Sequence, residues 1–339
     1  MNARCLFLDQ PGAVSLHDAP LDGPGVLVRS QHATFKHGTE KVRYTGGGPF
    51  AAQHLDPDLR LFVDGAGLSF PCPLGSMTVG MVEEGAGGFE AGERVYGWLP
   101  VADVHRCRPE RLHRLEQLDP DAALCLDPAT FALGAVYDGE LKEGETVLIT
   151  GLGAIGLLTV QACRQVGARV IAASGLPGRL AAAGRMGAEI LIDSASVTDL
   201  AREVKTQCPG GVDLAIECSG LTNRLNHAVR AARAGGRVVY VGFYADDDEK
   251  LDLSREMFHN RISLHASLPA KAWGNRVRGR DGFDADDLHR LARESFESGR
   301  LSPERILFPR FGFDRIIEAV ETMMHRPGET IKIAIDFQA

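Results

Sequence analysis

Several features that would restrict the function of this 339-residue chain are absent from its sequence. No apolar run reaches the roughly 18 residues that a membrane-spanning helix requires. Residues 1–12 lack the charged-then-apolar layout of a signal peptide. Acidic residues outnumber basic ones and give a net charge of -8, whereas nucleic-acid binding needs a basic surface. We therefore expect a cytoplasmic protein with no membrane partner and no nucleic-acid partner.

Closely spaced cysteine pairs are absent as well. The seven cysteines are scattered, their number is odd, and no two of them form a CxxC motif. A disulfide framework is therefore not expected. A four-cysteine structural zinc site is not expected either, because its ligands come closely spaced. We expect most of these cysteines to behave as small buried hydrophobic residues.

Short apolar segments alternate with helical patterns through the second half of the chain. The six predicted strands are 146–151, 169–174, 189–193, 212–217, 237–243 and 262–268. Strands that alternate with helices form a parallel sheet covered on both faces. The fold class is therefore α/β, with a doubly wound six-stranded parallel Rossmann sheet over residues 127–268.

The flanking regions have a different pattern. Residues 1–126 contain short apolar runs separated by Gly and Pro, which predicts a β-rich, partly open barrel. Residues 305–337 read as strand, helix, strand, and the last strand is well placed to pack on the N-terminal region. We therefore assign 1–126 and 269–339 to a β-rich catalytic domain.

A glycine-rich motif follows the first predicted strand of the sheet. Gly151, Gly153 and Gly156 form GxGxxG between that strand and a helix that opens with Ala154 and Ile155. In this context the glycines allow a tight turn, close approach of a pyrophosphate, and close packing of helix on strand. The free N–H groups and positive dipole end of the helix favour a phosphate. The motif predicts a nicotinamide dinucleotide cofactor.

The residue that ends the second strand bears on the choice of cofactor. An NAD-selective site places Asp or Glu there to bind the ribose diol, and this chain has Ser174. Serine does not repel a 2′-phosphate, and Arg179 can neutralise one. NADP(H) is therefore favoured. NAD remains the alternative, with Ser174 as a plain hydroxyl contact and Arg179 covering its helix.

The order of these parts resembles the medium-chain dehydrogenase/reductase superfamily over nearly the whole chain. The matching segments are GLGAIG, PLGSMTVGMVEEGAGGFEAGERV, VDLAIECSG, GGRVVYVGF and the terminal FDRIIEAVETMMHRPGETIKIAI. The HGTEK…TGG…PF stretch further resembles the branch with bacteriochlorophyllide-type hydroxyethyl dehydrogenases. The resemblance implies a GroES-like N-terminal domain and a homodimer joined through the sixth strand. It also implies further cofactor contacts from Cys218, Ser219, Gly242, Ser267 and Leu268.

The chain departs from the zinc-dependent members of that superfamily at the metal positions. Their Cys-Gly-Ser/Thr-Asp corresponds to residues 37–40 (HGTE), and their Gly-His-Glu corresponds to residues 75–77 (GSM). Serine is a poor zinc ligand, and methionine suits softer metals. The fourth position is Asp127 before Pro128, and a third ligand would have to come from His54, Cys72 or Cys125. Catalytic zinc needs three protein ligands, so we expect no zinc.

Without a metal, the site must supply hydrogen-bond donors and a proton source. Thr39 occupies the superfamily's hydroxyl position, and His37 titrates near neutral pH. We predict His37 as the acid–base group, Thr39 as donor to the substrate oxygen, Glu40 as its support, and Asp127 as a further catalytic residue. The alternatives are a packing role for His37, an ion pair for Glu40 and a helix cap for Asp127.

Two further groups could contribute to substrate binding. The segment 273–282 follows the sixth predicted strand and contains Arg276, Arg278 and Arg280. These arginines could hold an anionic substrate, or the segment could be a solvated loop. The segment 48–72 could line the substrate pocket or form core, through Phe50, Phe62 and Phe70. Lys41 and Tyr44 are additional donors near His37.

The leading functional hypothesis is a zinc-independent NADP(H)-dependent enzyme that interconverts a secondary alcohol and a ketone. One alternative is an NADPH-dependent quinone or enoyl reductase, because superfamily members without zinc often reduce C=C bonds. The other is a non-catalytic NADPH-binding protein. The substrate is expected to be a small molecule, and nothing in the residue spacing encodes its identity.

Overall fold

The computed structural model describes residues 2–244, 250–269, 276–278 and 283–337. It divides into two compact units. The β-rich unit comprises residues 1–125 and 306–339, and the Rossmann unit comprises residues 126–305. The Rossmann unit extends past the expected boundary at residue 268, because the helix Ala285–Glu297 packs within it against the helix Leu126–Asp138.

The β-rich unit contains the first ten strands and the first two helices of the chain, followed by its last elements. The elements are β1 (Asn2–Gln10), β2 (Ala13–Pro20), β3 (Val26–Thr34), α1 (His37–Thr45), β4 (Gln53–Leu55), β5 (Phe62–Asp64), β6 (Cys72–Pro73), β7 (Met77–Glu84), β8 (Arg94–Gly97), β9 (Val104–Cys107), β10 (Leu112–Arg114) and α2 (Pro120–Leu124).

The Rossmann unit alternates strands with helices. Its elements are α3 (Leu126–Asp138), β11 (Thr146–Thr150), α4 (Ala154–Val166), β12 (Arg169–Ser174), α5 (Pro177–Arg185), β13 (Ile190–Asp193), α6 (Leu200–Gln207), β14 (Val212–Glu217), α7 (Thr222–Ala231), β15 (Ala232–Tyr240), α8 (Glu256–His259), β16 (Ser263–Ala266) and α9 (Ala285–Glu297). The chain then returns to the β-rich unit through β17 (Leu307–Gly312), α10 (Ile316–His325) and β18 (Lys332–Asp336).

The six strands of the Rossmann unit form one parallel sheet in the order β13-β12-β11-β14-β15-β16. The predicted doubly wound sheet is therefore confirmed. The order reverses between β11 and β14, which places a topological switch point at the carboxyl ends of those two strands. Such a crevice is where open α/β sheets bind ligands.

Local sequence explains where the Rossmann helices begin and end. Helix α4 closes on Gly167, whose φ of 86° is a left-handed conformation that suits glycine. The side chain of Asp199 caps α6 by accepting from the N–H groups of Ala201 and Arg202, at 3.0 and 3.2 Å. Asp284 and Asp287 form a capping box at the start of α9.

The β-rich unit contains a seven-stranded mixed sheet, in which β10-β8-β7-β3-β18-β17 are neighbours and β9 pairs with β3. A second sheet has the order β2-β1-β6, and β4 pairs with β5. This arrangement corresponds to the predicted GroES-like, partly open barrel. The terminal strand β18 pairs antiparallel with β3, as the sequence indicated.

The core of the β-rich unit forms around α1, α10 and the strands that flank them. It includes the fully buried Leu6, Leu8, Phe35, Ile333 and Ile335. All seven cysteines are free thiols, of which Cys107, Cys125 and Cys163 are buried and the others are half-buried. Within the described part of the chain, none of the helices has the length and apolar character needed to cross a membrane.

Candidate functional site

The glycine-rich turn lies between β11 and α4, at the switch point of the sheet. Gly151 has a φ of 78°, and a Cβ at this residue would lie 2.4 Å from the backbone nitrogen of Ser219. A Cβ at Gly156 would lie 2.2 Å from the carbonyl oxygen of Gly151. Since real Cβ atoms do not approach so closely, both positions exclude a side chain, and the turn packs closely against the backbone around it.

The start of α4 provides donors at this turn. Gly153 is the N-cap residue, and its carbonyl accepts the first helical bond from the N–H of Leu157 at 2.9 Å. The N–H groups of Ala154, Ile155 and Gly156 lie in the first turn, where they have no partner within the helix. Free N–H groups at the positive end of a helix dipole are the donors that favour a phosphate.

A guanidinium group lies beside this turn. Arg179 is in the first turn of α5, and its Nη1 lies 3.9 Å from the point that a Cβ of Gly153 would occupy. Burial lowers the pKa of Arg179, although a guanidinium stays protonated in proteins. The cation is therefore well placed to neutralise a phosphate near the second glycine.

The second strand of the sheet ends on a hydroxyl group. Ser174 is the last residue of β12, and its Oγ accepts from the N–H of Leu176 at 3.1 Å. Its carbonyl accepts from the N–H of Ser194 at 3.1 Å. The carboxylate of Asp193, at the end of neighbouring β13, caps its own turn by accepting from the N–H of Ala195. The end of β12 therefore carries no carboxylate of its own.

The structure brings three of the other predicted cofactor residues to the same edge of the sheet. Cys218 and Ser219 follow β14, and the Cβ of Cys218 lies 3.7 Å from the point that a Cβ of Gly156 would occupy. Gly242 follows β15, and a Cβ there would lie 2.2 Å from the backbone nitrogen of Gly220. Burial raises the pKa of the Cys218 thiol, which makes it a packing residue rather than a nucleophile.

The remaining two predicted cofactor residues follow β16. The N–H of Ser267 donates to the carbonyl of Tyr240 at 3.0 Å, which continues the pairing with β15. Its Oγ is buried and lies 3.4 Å from the point that a Cβ of Gly134 would occupy, so this side chain faces α3. Leu268 is 45% exposed.

Sequence reasoning did not single out Glu217, the last residue of β14. Its side chain is fully buried. Oε1 accepts from the N–H of Ser219 at 2.6 Å and from the Ser219 hydroxyl, and Oε2 accepts from the N–H of Gly220 at 3.1 Å and from the hydroxyl of Tyr244. Burial raises the pKa of Glu217, while its four donors act to lower it. A signal was available in the sequence, since VDLAIE ends an apolar strand on a charge.

In the β-rich unit, His37 is the first residue of α1. Its Nε2 accepts from the N–H of Ile333 in β18 at 2.9 Å. A ring nitrogen that accepts a hydrogen bond carries no proton, so this contact assigns the neutral tautomer with the proton on Nδ1. The contact favours the predicted packing alternative, because in this tautomer Nδ1 carries the proton and the only lone pair of the ring, on Nε2, is engaged.

Glu40 lies on the same side of α1 as His37, three residues later. It is 2% exposed, and its Oε1 accepts from the N–H of Gly75 at 2.5 Å. Oε2 is buried without a hydrogen-bond partner, and burial raises the pKa of the carboxyl to about 7. Its hydrogen bond therefore holds the turn before β7. Thr39 lies about 200° around the helix from His37, so those two side chains point in different directions.

The two additional donors predicted near His37 do not join a common group. The hydroxyl of Tyr44 donates to the carbonyl of Gly12 at 3.1 Å, and the ring packs against His325. Lys41 is exposed on the surface of α1. A buried cation instead comes from Lys332 in β18, whose Nζ donates to the carbonyl of Phe35 at 2.7 Å.

The residues at the superfamily's metal positions do not suit zinc. The Nε2 of His37 already accepts a backbone N–H, and the buried Oγ of Ser76 has no hydrogen-bond partner. Burial raises the pKa of the Cys125 thiol to about 12. Among the residues that the structure describes, no three His, Cys, Asp or Glu side chains group to hold a metal ion. The absence of zinc stays a prediction.

Asp127 lies in the Rossmann unit, as the second residue of α3. The helix begins at Leu126 rather than at Pro128, so Asp127 is inside the first turn and is not the N-cap residue. Its carboxyl is half-buried. The predicted capping role is therefore not observed.

The predicted substrate-binding arginines and aromatic residues have structural contacts. The guanidinium of Arg278 donates to Glu140 at 2.9 Å, and its backbone N–H donates to Asp138 at 2.7 Å. Arg276 is exposed, and Arg280 lies outside the described residues. The rings of Phe50 and Phe62 meet edge to face at 5.2 Å, and the third aromatic residue, Phe70, packs on the core of the β-rich unit.

The glycine turn, the switch point and the two-unit architecture together define the class of protein. The comparisons with known proteins support the medium-chain dehydrogenase/reductase superfamily and an oxidoreductase. The family model described as "Zinc-binding dehydrogenase" matches residues 154–278.

Individual relatives agree with this assignment. The chain is 27% identical over 340 residues to D-guloside 3-dehydrogenase of Escherichia coli K12, with 96% of each chain covered. It matches the solved structure of a protein assigned as a zinc-binding dehydrogenase from Sinorhizobium meliloti 1021, bound to NADP, with a TM-score of 0.77 and 21% identity over 99% of each chain. It also matches a short chain alcohol dehydrogenase from Escherichia coli CFT073 complexed with NADH, with a TM-score of 0.76 and 18% identity over 99% of each chain. These two structures have the same fold.

Proposed function

We propose that this protein is an NADP(H)-dependent oxidoreductase that interconverts a secondary alcohol and a ketone without a catalytic zinc ion. One observation carries the proposal. The glycine turn of residues 151–156 meets the N-terminus of α4 with the guanidinium of Arg179 beside it, while the adjacent strand ends on Ser174. When bound there, the nicotinamide cofactor supplies or accepts the hydride.

The preference for NADP(H) rests on charge. Arg179 favours a phosphate, and Ser174 presents no carboxylate to repel one. Both NADP and NADH are bound by relatives with this fold, so the local residues must decide. The test compares the Kd of NADPH and NADH for the wild-type protein and for the variants Ser174→Asp and Arg179→Ala.

We expect Ser174→Asp to lower the NADPH/NADH preference about tenfold or more, because its carboxylate opposes the 2′-phosphate. Arg179→Ala shows which phosphate the guanidinium meets: a loss of NADPH affinity alone assigns it to the 2′-phosphate, and an equal loss for both dinucleotides assigns it to the pyrophosphate. The variant Arg185→Ala is the matched control, since Arg185 lies in the last turn of the same helix. A wild-type protein that binds NADH more tightly than NADPH would overturn the cofactor assignment.

The substrate class follows from relatives rather than from a pocket. D-guloside 3-dehydrogenase acts, by its name, on a sugar derivative at a ring carbon, and it matches 96% of this chain. We therefore infer a polyhydroxylated secondary alcohol as the substrate. A screen of glycosides and polyols with NADP+, followed by absorbance at the nicotinamide band, tests this inference.

The proposed acid–base group is His37, and Thr39 is the proposed donor to the substrate oxygen. Because the Nε2 lone pair of His37 accepts from Ile333, the ring can take up a proton only when this contact opens, and until then Nδ1–H is a hydrogen-bond donor. Glu40 supports His37 by holding the Gly75 turn. Asp127 remains a proposed catalytic residue. We expect His37→Ala to lower kcat at least tenfold, within the range of general acid–base catalysis.

The variant His37→Gln controls for the structural contact, because its side-chain oxygen can accept from Ile333 while it lacks an ionisable group. If His37→Ala and His37→Gln both retain the wild-type kcat, the acid–base assignment fails. If only His37→Ala loses activity, the hydrogen bond to Ile333 explains the loss.

The proposal excludes zinc on the chemistry of the donor set, where Ser76 and Met77 stand at positions that a histidine and a glutamate would need to fill. The test measures metal content and alcohol oxidation before and after chelation. Activity that disappears on chelation and returns with added zinc would refute a metal-free mechanism.

A quinone or enoyl reductase remains the second candidate, and the unsuitable metal positions favour it. Reduction of a C=C bond needs hydride and proton delivery without a Lewis acid at a carbonyl. NADPH oxidation by enones or quinones, with no reaction of ketones or alcohols, would establish this candidate over the first.

We further propose a cytoplasmic homodimer. In the described part of the Rossmann sheet, β16 is the last strand beyond β15. An unpaired edge can pair with its copy across a two-fold axis. Sedimentation at micromolar concentration would measure the oligomeric state, and a monomer at all concentrations would contradict the proposal.

A further inference from the structure

Two turns at the carboxyl edge of the Rossmann sheet are in direct backbone contact. Residues 218–221 follow β14, and residues 241–244 follow β15. Gly220 has a φ of 72°, and a Cβ there would lie 2.7 Å from the carbonyl oxygen of Phe243. A Cβ at Gly242 would lie 2.2 Å from the nitrogen of Gly220. No side chain separates the two turns at these glycines.

The buried carboxylate of Glu217 connects these two turns. Three of its donors come from the first turn, namely the N–H and hydroxyl of Ser219 and the N–H of Gly220. The fourth is the hydroxyl of Tyr244 in the second turn. The hydroxyl of Ser219 in turn accepts from the N–H of Leu221 at 3.3 Å. The carboxylate therefore fixes the spacing of both turns through one side chain.

The order of the strands assigns these turns to one half of the cofactor. The sheet reverses between β11 and β14, so β11, β12 and β13 form one mononucleotide-binding half. That half contains the glycine turn and Ser174, which address the pyrophosphate and the adenosine ribose. The turns after β14 and β15 belong to the other half, which receives the nicotinamide riboside.

We propose that Glu217 is a positioning residue for the nicotinamide half of the cofactor site, and that Tyr244 is the contact through which it holds the second turn. This inference rests on the proposed use of a nicotinamide dinucleotide. Glu217 is fully buried and accepts four donors, so it acts through the two turns and not by contact with the reacting atoms.

The test separates positioning from general stability by comparing two ligands. One is NADPH or NADH, whichever the wild-type protein binds more tightly, and the other is the matching adenosine fragment, 2′,5′-ADP or 5′-ADP. The variant Tyr244→Phe removes only the donor to Glu217. Tyr240→Phe is the matched control, because its ring packs against Tyr244 at 5.5 Å but its hydroxyl is not among the donors to Glu217.

We expect Tyr244→Phe to weaken dinucleotide binding about tenfold, the effect of losing one hydrogen bond to a charged group. The affinity for the adenosine fragment should stay unchanged, and Tyr240→Phe should change neither. Ser219→Ala removes a different donor from the same carboxylate and should give the same pattern. It provides a second measurement if Tyr244→Phe does not fold.

The outcomes distinguish this inference from the function on which it rests. If the wild-type protein binds neither dinucleotide, the proposed function fails. If the wild-type protein binds the dinucleotide and both variants leave its affinity unchanged, or weaken dinucleotide and fragment equally, the positioning role is refuted and the proposed function stands.

Discussion

The buried carboxyl of Glu40 makes the stability of this protein depend on pH in a way that can be isolated. Burial raises the pKa of Glu40 from 4.5 to about 7, and its Oε2 has no hydrogen-bond partner to compensate the charge. Between these two pH values the folded protein keeps the proton that the unfolded chain has lost. The free energy of unfolding therefore falls as the pH rises through this window.

The size of the effect follows from the shift in pKa. At 1.36 kcal/mol per pH unit, the change from 4.5 to about 7 corresponds to about 3 kcal/mol. The variant Glu40→Gln cannot ionise, and its side-chain oxygen can still accept from the N–H of Gly75. We therefore expect wild type and variant to have nearly equal stability at pH 5. At pH 8 the variant should be more stable by about 2 to 3 kcal/mol, because it carries no buried charge. The gain stays below the full effect of the pKa shift, because the uncharged amide also has an unpartnered end.

The measurement is urea-induced unfolding of both proteins at pH 5, 6, 7 and 8, followed by circular dichroism. The difference between the two proteins removes the contribution of all other titrating groups. Glu110→Gln is the control, because Glu110 is exposed in the same unit and its replacement removes an equal charge. A difference that does not change between pH 5 and pH 8 would refute the reasoning. So would a variant that is less stable at pH 8.

Two other substitutions test the Rossmann unit. Gly156→Ala places a Cβ 2.2 Å from the carbonyl of Gly151. It should therefore lower the free energy of unfolding by about 2 kcal/mol and abolish dinucleotide-induced thermal stabilisation. Gly178→Ala is the control, because a Cβ there has nothing within 4 Å, and it should leave the stability and the dinucleotide effect near wild type. Thermal melting with and without NADPH measures this, and equal behaviour of the two variants would contradict the tight turn. Glu145→Gln removes the charge that pairs with Arg237 at 2.6 Å. It should destabilise the protein by about 2 kcal/mol, as measured by urea unfolding. An unchanged midpoint of unfolding would show that the ion pair contributes nothing to stability.

Much of the fold could be predicted because the local signals agree. The strands of the Rossmann sheet are apolar runs that end at glycine or a polar residue, and the turn of residues 151–156 carries three glycines at fixed offsets. Gly156 has a steric reason that acts over a short distance in the sequence, since a Cβ there would meet the carbonyl of Gly151, whereas the contact that confines Gly151 comes from the distant Ser219. The return of β18 to the β-rich unit was also predictable, since it reads as an apolar strand that follows a helix.

The detailed contacts of the site could not be predicted, because they depend on distant parts of the chain. The partner of the His37 ring is the N–H of Ile333, 296 residues away. Tyr244 reaches Glu217 across 27 residues, and Gly75 reaches Glu40 across 35 residues. No periodicity encodes such pairs. The prediction that Tyr44 is a site donor failed for the same reason, since Gly12 lies opposite its hydroxyl in the folded core.

The position of β18 has a consequence for how the protein is made. This strand lies between β3 and β17 in the seven-stranded sheet, so a nascent chain has two separate edges there until residues 332–336 have left the ribosome. In the sequence, the residues of the Rossmann unit all come between the two segments of the β-rich unit. The Rossmann unit can therefore fold first, since domains generally fold as units during synthesis. The helix that begins at His37 then receives its hydrogen bond from Ile333 only after β18 has been synthesised. The proposed catalytic group is therefore held in place later than the Rossmann unit.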